Sequence, residues 1–177
     1  YKNLNEINTE IIKMPFPEYI ESIDYENITS EAIAINCAFV SGILLDFLET
    51  DKLFPTVSGR MGSDEFSFYI NNLNMNKEIE VMVSNSQIEV DGGYEGEDSL
   101  ALIEAKNSIS DDFLIRQLYY PFRLWDSRIK KTIRPIFMVY SNGIFTLYEY
   151  NFQEPYNYNS LILLKQKNYT LEIFYTE

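Results

Sequence analysis

Three residues near the middle of the chain have the types and spacing for chemistry. Asp91, Glu104 and Lys106 belong to the stretch "IEVDGGYEGEDSLALIEAK", residues 88–106. It reads as two apolar strands joined by a glycine- and acid-rich turn centred near Glu95-Gly96, the first ending on Asp91 and the second on Glu104-Ala105-Lys106. Glu104 and Lys106 stand at i and i+2, so both side chains leave one face, roughly 7 Å apart at the Cα level. Twist and a bulge can carry the Asp91 carboxylate toward Glu104. Two converging carboxylates suit Mg²⁺, a hard ion that takes oxygen ligands, and the Ala105 carbonyl could add another. An ammonium beside them can orient an attacking water and offset charge on a pentavalent phosphate. The turn acids Glu95, Glu97 and Asp98 read as solvated bystanders. From spacing alone a solvated hairpin with charged tips is the commoner outcome, and both readings stand at this level.

Composition narrows the chemistry. The chain has 177 residues, 46% of them hydrophobic, which suits one folded domain. There is no histidine, which excludes a Ser-His-Asp triad, an HNH-type nuclease and His-liganded zinc. The one cysteine, Cys37, falls in an apolar helical pattern and reads as a small core residue compatible with a reducing cytoplasm. No apolar run is long enough to span a bilayer, and the N-terminus lacks an apolar core after a basic start, so neither a membrane partner nor a secretory signal is expected. The chain begins at Tyr1 without an initiator Met, which suggests a piece of a longer protein. Net charge is −13, which at first disfavours nucleic acid. Residues 106–134, however, hold seven of the 14 basic residues against three acids, a local balance of +4. An acidic chain can still present one basic face.

The elements that must position these residues follow from pattern. Residues 1–28, with Pro15 and Pro17, read as an extended N-terminal lead-in, leaving 29–177 as the functional domain. "TSEAIAINCAFVSGILLDFLE" reads as one helix capped by Thr29 or Ser30, with Glu31 in its first turn. Gly59 and Gly62 mark a turn in "VSGRMGS", and Phe66, Phe68 and Ile70 alternate as a strand. Ile79, Val81 and Val83 form the next strand, with Ser84-Asn85-Ser86 as a turn or bulge before Ile88 and Val90. A helix begun by Ser110 or Asp111 carries Leu114, Leu118, Phe122, Trp125 and Ile129 within an arc of about 80°, with a kink or break expected at Pro121. Arg116, Arg123 and Lys130 fall on its opposite face. Three strands close the chain, two of them joined by an Asn142-Gly143 hairpin turn. The fold class is α/β (α+β), a central mixed sheet flanked by helices.

Asp91, then Glu104-Ala105-Lys106 on the next strand, then Gln117-x-x-Tyr120 on the following helix, resembles the PD-(D/E)xK nuclease superfamily. The Gln-x-x-Tyr element is similar to the extra motif of its RecB-like branch. The wording "TVSGRMGSDEFSFYI", "EVDGGYEG" and "GIFTLYEYNF" resembles a group of bacterial type II restriction endonucleases over about residues 29–170. Val90 stands where the superfamily motif has proline. The resemblance implies a restriction-endonuclease-like core and a Mg²⁺-dependent endonuclease, with Mn²⁺ able to substitute, that cuts double-stranded DNA. It implies that Asp91 and Glu104 bind the metal, that Lys106 is the catalytic lysine, and that Gln117 orients the lysine or the metal-bound water. Glu31 is a further candidate metal ligand, and its bland reading is a favourable acid in a helix first turn. A homodimer and a cognate DNA methyltransferase in the same restriction system are the partners such enzymes imply.

Other residues carry weaker expectations. Ser58 and Arg60, in the small-residue turn, are candidates to contact DNA, against an incidental surface loop. Arg116, Arg123 and Lys130 could track a phosphate backbone, against an ordinary solvated helix face. Tyr94 could line the site or be a surface tyrosine. Tyr119 and Tyr120 read as core, and the tyrosine-rich "NFQEPYNYNS" as a packed loop. A different class of function is also open: the −13 charge suits an acidic module that mimics DNA and binds no metal. A repair or recombination nuclease of the same fold would share the chemistry and differ in substrate.

Overall fold

A computed structural model of the chain describes residues 2–3, 8–72, 74, 76–107 and 112–173. Its centre is a seven-stranded mixed sheet in the order β2-β11-β10-β9-β7-β6-β3. In chain order these are β2 (Ile11–Pro15), β3 (Phe54–Gly62), β6 (Gln87–Glu95), β7 (Ser99–Lys106), β9 (Thr132–Ser141), β10 (Ile144–Phe152) and β11 (Leu161–Glu172). Two pairs run parallel, β7 with β9 and β2 with β11, and the rest are antiparallel. The segment expected as a lead-in therefore supplies an edge strand: Ile12 pairs with Tyr169 and Met14 with Leu171.

Alternation within the strands builds a core on each face. Ala101, Ile103 and Ala105 of β7 meet α1 (Glu31–Val40) and α2 (Ile43–Leu48) on one side. Leu100 and Leu102 meet α3 (Arg116–Arg128) on the other, with a separate hairpin of β4 (Phe66–Asn72) and β5 (Lys77–Val83). A two-residue strand β1 (Lys2–Asn3) pairs with β8 (Asp112–Phe113). Among the described residues no helix is long and apolar enough to cross a membrane.

Local chemistry explains most boundaries. The Ser30 side chain accepts a hydrogen bond from the Ile33 amide at 3.2 Å and starts α1. The expected single helix is two, because Gly42 takes a left-handed φ of 85° that ends α1 and opens α2. Asn142 and Gly143 both have positive φ, as the tight turn between β9 and β10 requires. The helix α3 runs unbroken through Pro121. Its expected start at Ser110 or Asp111 lies outside the described residues.

Gly59 and Gly62 do not mark a turn. They lie within β3, where Arg60 pairs with Glu89 and Gly62 with Gln87. The small residues that read as a loop are an exposed edge strand, and Gly59 has a φ of 92° at a register shift.

Candidate functional site

The site lies where β6 and β7 part. Their antiparallel ladder runs from Glu95 opposite Leu100 to Gly92 opposite Ile103 and then stops. Beyond it β7 stays in the sheet through β9, while β6 follows β3. Asp91 is therefore in the middle of β6, not at its end. Between β3 and β6, Val57 pairs with Gly93 and Gly59 with Val90, so two residues of β6, Asp91 and Gly92, oppose Ser58 alone. This is a β-bulge, and its effect is to re-aim the side chain at the bulged position.

The re-aimed carboxylate replaces the missing partner strand. Asp91 Oδ2 accepts a hydrogen bond from the Ala105 amide at 2.9 Å. An N–H and C=O of one strand residue serve the same side of the strand, so the Ala105 carbonyl is offered to the same opening. Glu104, 8% exposed, lies beside Asp91, and its Oε1 is 3.3 Å from Lys106 Nζ. Burial, with the Asp91 charge adding, pushes the Glu104 carboxyl up to about 8, while Lys106 pulls it down. Two carboxyls in contact inside the protein are short of positive charge, and one ammonium does not restore it.

The opening forms a cleft of about 440 Å³. Asp91, Glu104, Ala105 and Lys106 line it from the sheet, Gln117 and Tyr120 from α3, and Glu31 from the first turn of α1. Gln117 and Tyr120 share a helix face at i and i+3. Pro121 has no N–H for the Gln117 carbonyl, so the helix ladder lacks that bond beside the cleft. Arg116 also lines the cleft, with its guanidinium 4.6 Å from the Tyr120 ring centroid. The cleft thus gathers residues separated by 89 positions, from Glu31 to Tyr120.

The family model described as Domain of unknown function (DUF6997) matches residues 1–170. The chain belongs to the DUF6997 family. No curated protein and no solved structure matches it.

The structure of this DUF6997 chain rearranges several expected roles. Glu31 lines the cleft, yet among the described residues no three acids form a group placed to hold a metal. Arg123 is not on a solvated face. It is 9% exposed, and its Nη1 donates to the Ser67 carbonyl at 2.7 Å and to the Tyr119 hydroxyl at 3.0 Å. Phe66, Tyr119 and Tyr156 surround its guanidinium, so Arg123 pins the β4–β5 hairpin and the Tyr156 loop to α3. Lys130 is exposed and outside the cleft. Arg60 lies on β3 opposite Glu89, and Ser58 lines a second hollow on the other side of Asp91. Tyr94 is buried and stacks on Phe39 at 5.1 Å. Cys37 is fully buried, and burial pushes its thiol up to about 11, so it is no nucleophile.

Sequence reasoning missed Gln87 and Glu89, which also line the cleft. Their signal was available, since they precede Asp91 at i−4 and i−2 on one strand.

Proposed function

We propose that this domain is a metal-dependent endonuclease that hydrolyses phosphodiester bonds in double-stranded DNA, with a restriction-endonuclease-like core. The convergence of Asp91, Glu104 and Lys106 at the parting of β6 and β7, with Gln117 facing them, carries the reading. Type II restriction cleavage by a homodimer, paired with a cognate methyltransferase, is the specific form proposed.

The donor set fits a hard divalent cation. Asp91 and Glu104 are adjacent oxygen donors short of positive charge, and Mg²⁺ or Mn²⁺ is bound by such oxygens with several waters retained. Asp91, Glu104 and the Ala105 carbonyl would hold it. Once bound it supplies charge neutralisation at the phosphate and a more acidic water. Lys106, 38% exposed, reaches both the buried acid and the cleft, so its ammonium can orient the water and offset phosphorane charge. Gln117, which lines the cleft with Lys106, would orient Lys106 or that water by hydrogen bonding. Arg116 at the cleft supplies a cation to the substrate backbone.

The test is cleavage of supercoiled plasmid with Mg²⁺ and with EDTA. Wild type is expected to cut only with Mg²⁺, and Asp91→Ala and Lys106→Ala are expected to lose at least about a hundredfold in rate. Equal cutting by all three would overturn the assignment.

A second reading is favoured by one observation. Most cations of residues 106–134 are paired or buried, which leaves carboxylates to dominate the surface. A DNA-mimicking module would look like this. Calorimetric titration with Mn²⁺ separates the two, because a binding site abolished by Glu104→Ala speaks for the nuclease.

A further inference from the structure

A second hollow of about 300 Å³ adjoins the cleft between α1 and β3, and Asp91 lines both. Its construction differs from that of the cleft. The cleft offers carboxylates, an ammonium and a guanidinium, groups that handle metal and phosphate. Apart from Asp91 the hollow offers no charged side chain, only the Asn36 amide, the Thr56 and Ser58 hydroxyls, the Tyr94 phenol and apolar walls such as Ile35 and Val57. Neutral hydrogen-bonding groups between apolar walls are what a nucleobase and its sugar require.

Two irregularities in one strand pair shape this hollow. The bulge at Asp91-Gly92 lies on β6, and a second on β3 leaves Thr56 without a partner between Pro55 and Val57. Glycine keeps the floor open: a Cβ on Gly92 would stand 3.1 Å from Tyr94 Cε2 and 3.2 Å from Ile35 Cγ2, two residues that line the hollow. The size is at the small end of ligand pockets, roughly 300–1,000 Å³, which suits one nucleoside rather than a base pair.

We propose that this hollow seats the sugar and base of the nucleotide adjoining the cut phosphodiester, with Asn36 and Thr56 as its hydrogen-bonding contacts. The inference rests on the nuclease reading and adds to it a flanking-nucleotide subsite. The phosphate lies at Asp91, and the strand passes from the cleft into the hollow.

The experiment uses the full chain and a duplex oligonucleotide containing a sequence that it cuts. Ala32→Trp fills the hollow from an exposed first-turn position of α1, and Asn36→Ala removes the amide. Each is assayed on the intact duplex and on duplexes with an abasic residue on either side of the cut. Wild type is expected to cut one abasic duplex about tenfold more slowly than the intact one. Ala32→Trp should show a similar loss on the intact duplex and little further loss on that abasic duplex, while binding Mn²⁺ as wild type does. If wild type cuts and Ala32→Trp matches it, or the two losses multiply, the subsite is overturned and the nuclease reading stands. If wild type cuts no DNA with either metal, both fall together.

Discussion

At the residue scale the site turns on one buried carboxyl. Glu104 is raised from 4.5 to about 8 by burial and by Asp91. A carboxyl whose folded pKa exceeds its unfolded value contributes stability that is full below the unfolded value and lost as pH rises through the folded one. The metal-free chain should therefore lose on the order of 5 kcal/mol between about pH 4.5 and 8 from this group. Glu104→Gln, which keeps the shape and cannot ionise, should flatten that part of the profile. Urea unfolding of both proteins in EDTA across this range measures it, and parallel profiles would show that Glu104 does not sit in the environment described. Arg123 gives a second prediction. Arg123→Ala removes donors to Ser67 and Tyr119 and the cation between three rings, so it should cost about 2–4 kcal/mol. Arg116→Ala, at an exposed position, should leave stability within about 0.5 kcal/mol and slow DNA cleavage instead. The reverse pattern would return Arg123 to a DNA-contacting role.

At the scale of elements, the strands and helices were legible because period and turn chemistry agreed. Val81 and Val83, the Asn142-Gly143 turn and the Ser30 cap all speak locally. What sequence could not give depends on register between distant segments. That Asp91 is mid-strand follows from β6 running on to Glu95 beside β7 and β3. The bulge that aims it exists only in the pairing of Val57 with Gly93 and Gly59 with Val90. Gly59 and Gly62 misled because glycines in an edge strand look like a turn when the partner strand is unknown. Arg123 misled because helical spacing gives a face but not what covers it, and here a hairpin about 50 residues upstream covers it. Gly93 tests this account of close strand approach. With a Cβ 2.6 Å from Val57, Gly93→Ala should destabilise the chain by about 1–3 kcal/mol in urea unfolding. Gly62→Ala, on the same strand pair with open space at its Cβ, should cost well under that.

For the whole molecule, the decisive quantity is how much positive charge is free to meet DNA. Local composition gave residues 106–134 a surplus of four, but the fold spends most of it internally. Lys106 faces Glu104, Arg128 pairs with Asp64, Lys131 with Glu95, and Arg134 with Glu149 in two contacts of 2.8 Å. Arg134 and Lys165 also donate to the Leu48 and Phe47 carbonyls that end α2, so these cations fasten a helix to the sheet. Among the described residues of this charge set, Arg116 stays exposed at the cleft, Arg60 on the strand beside it, and Lys130 outside the cleft. Each neutralised phosphate contributes about −0.9 to the slope of log K against log salt. Three such contacts predict a slope near −3 per chain bound, shallow for a protein that grips DNA by charge. Fluorescence anisotropy of a labelled duplex containing a cut sequence, with Ca²⁺ in place of Mg²⁺ to prevent cleavage, measures it between about 50 and 200 mM salt. A slope of −6 or steeper per chain would mean that cations now assigned to internal pairs leave them on binding. A slope near −3 would mean that specific contacts at the cleft and hollow, rather than a general basic surface, must supply the affinity.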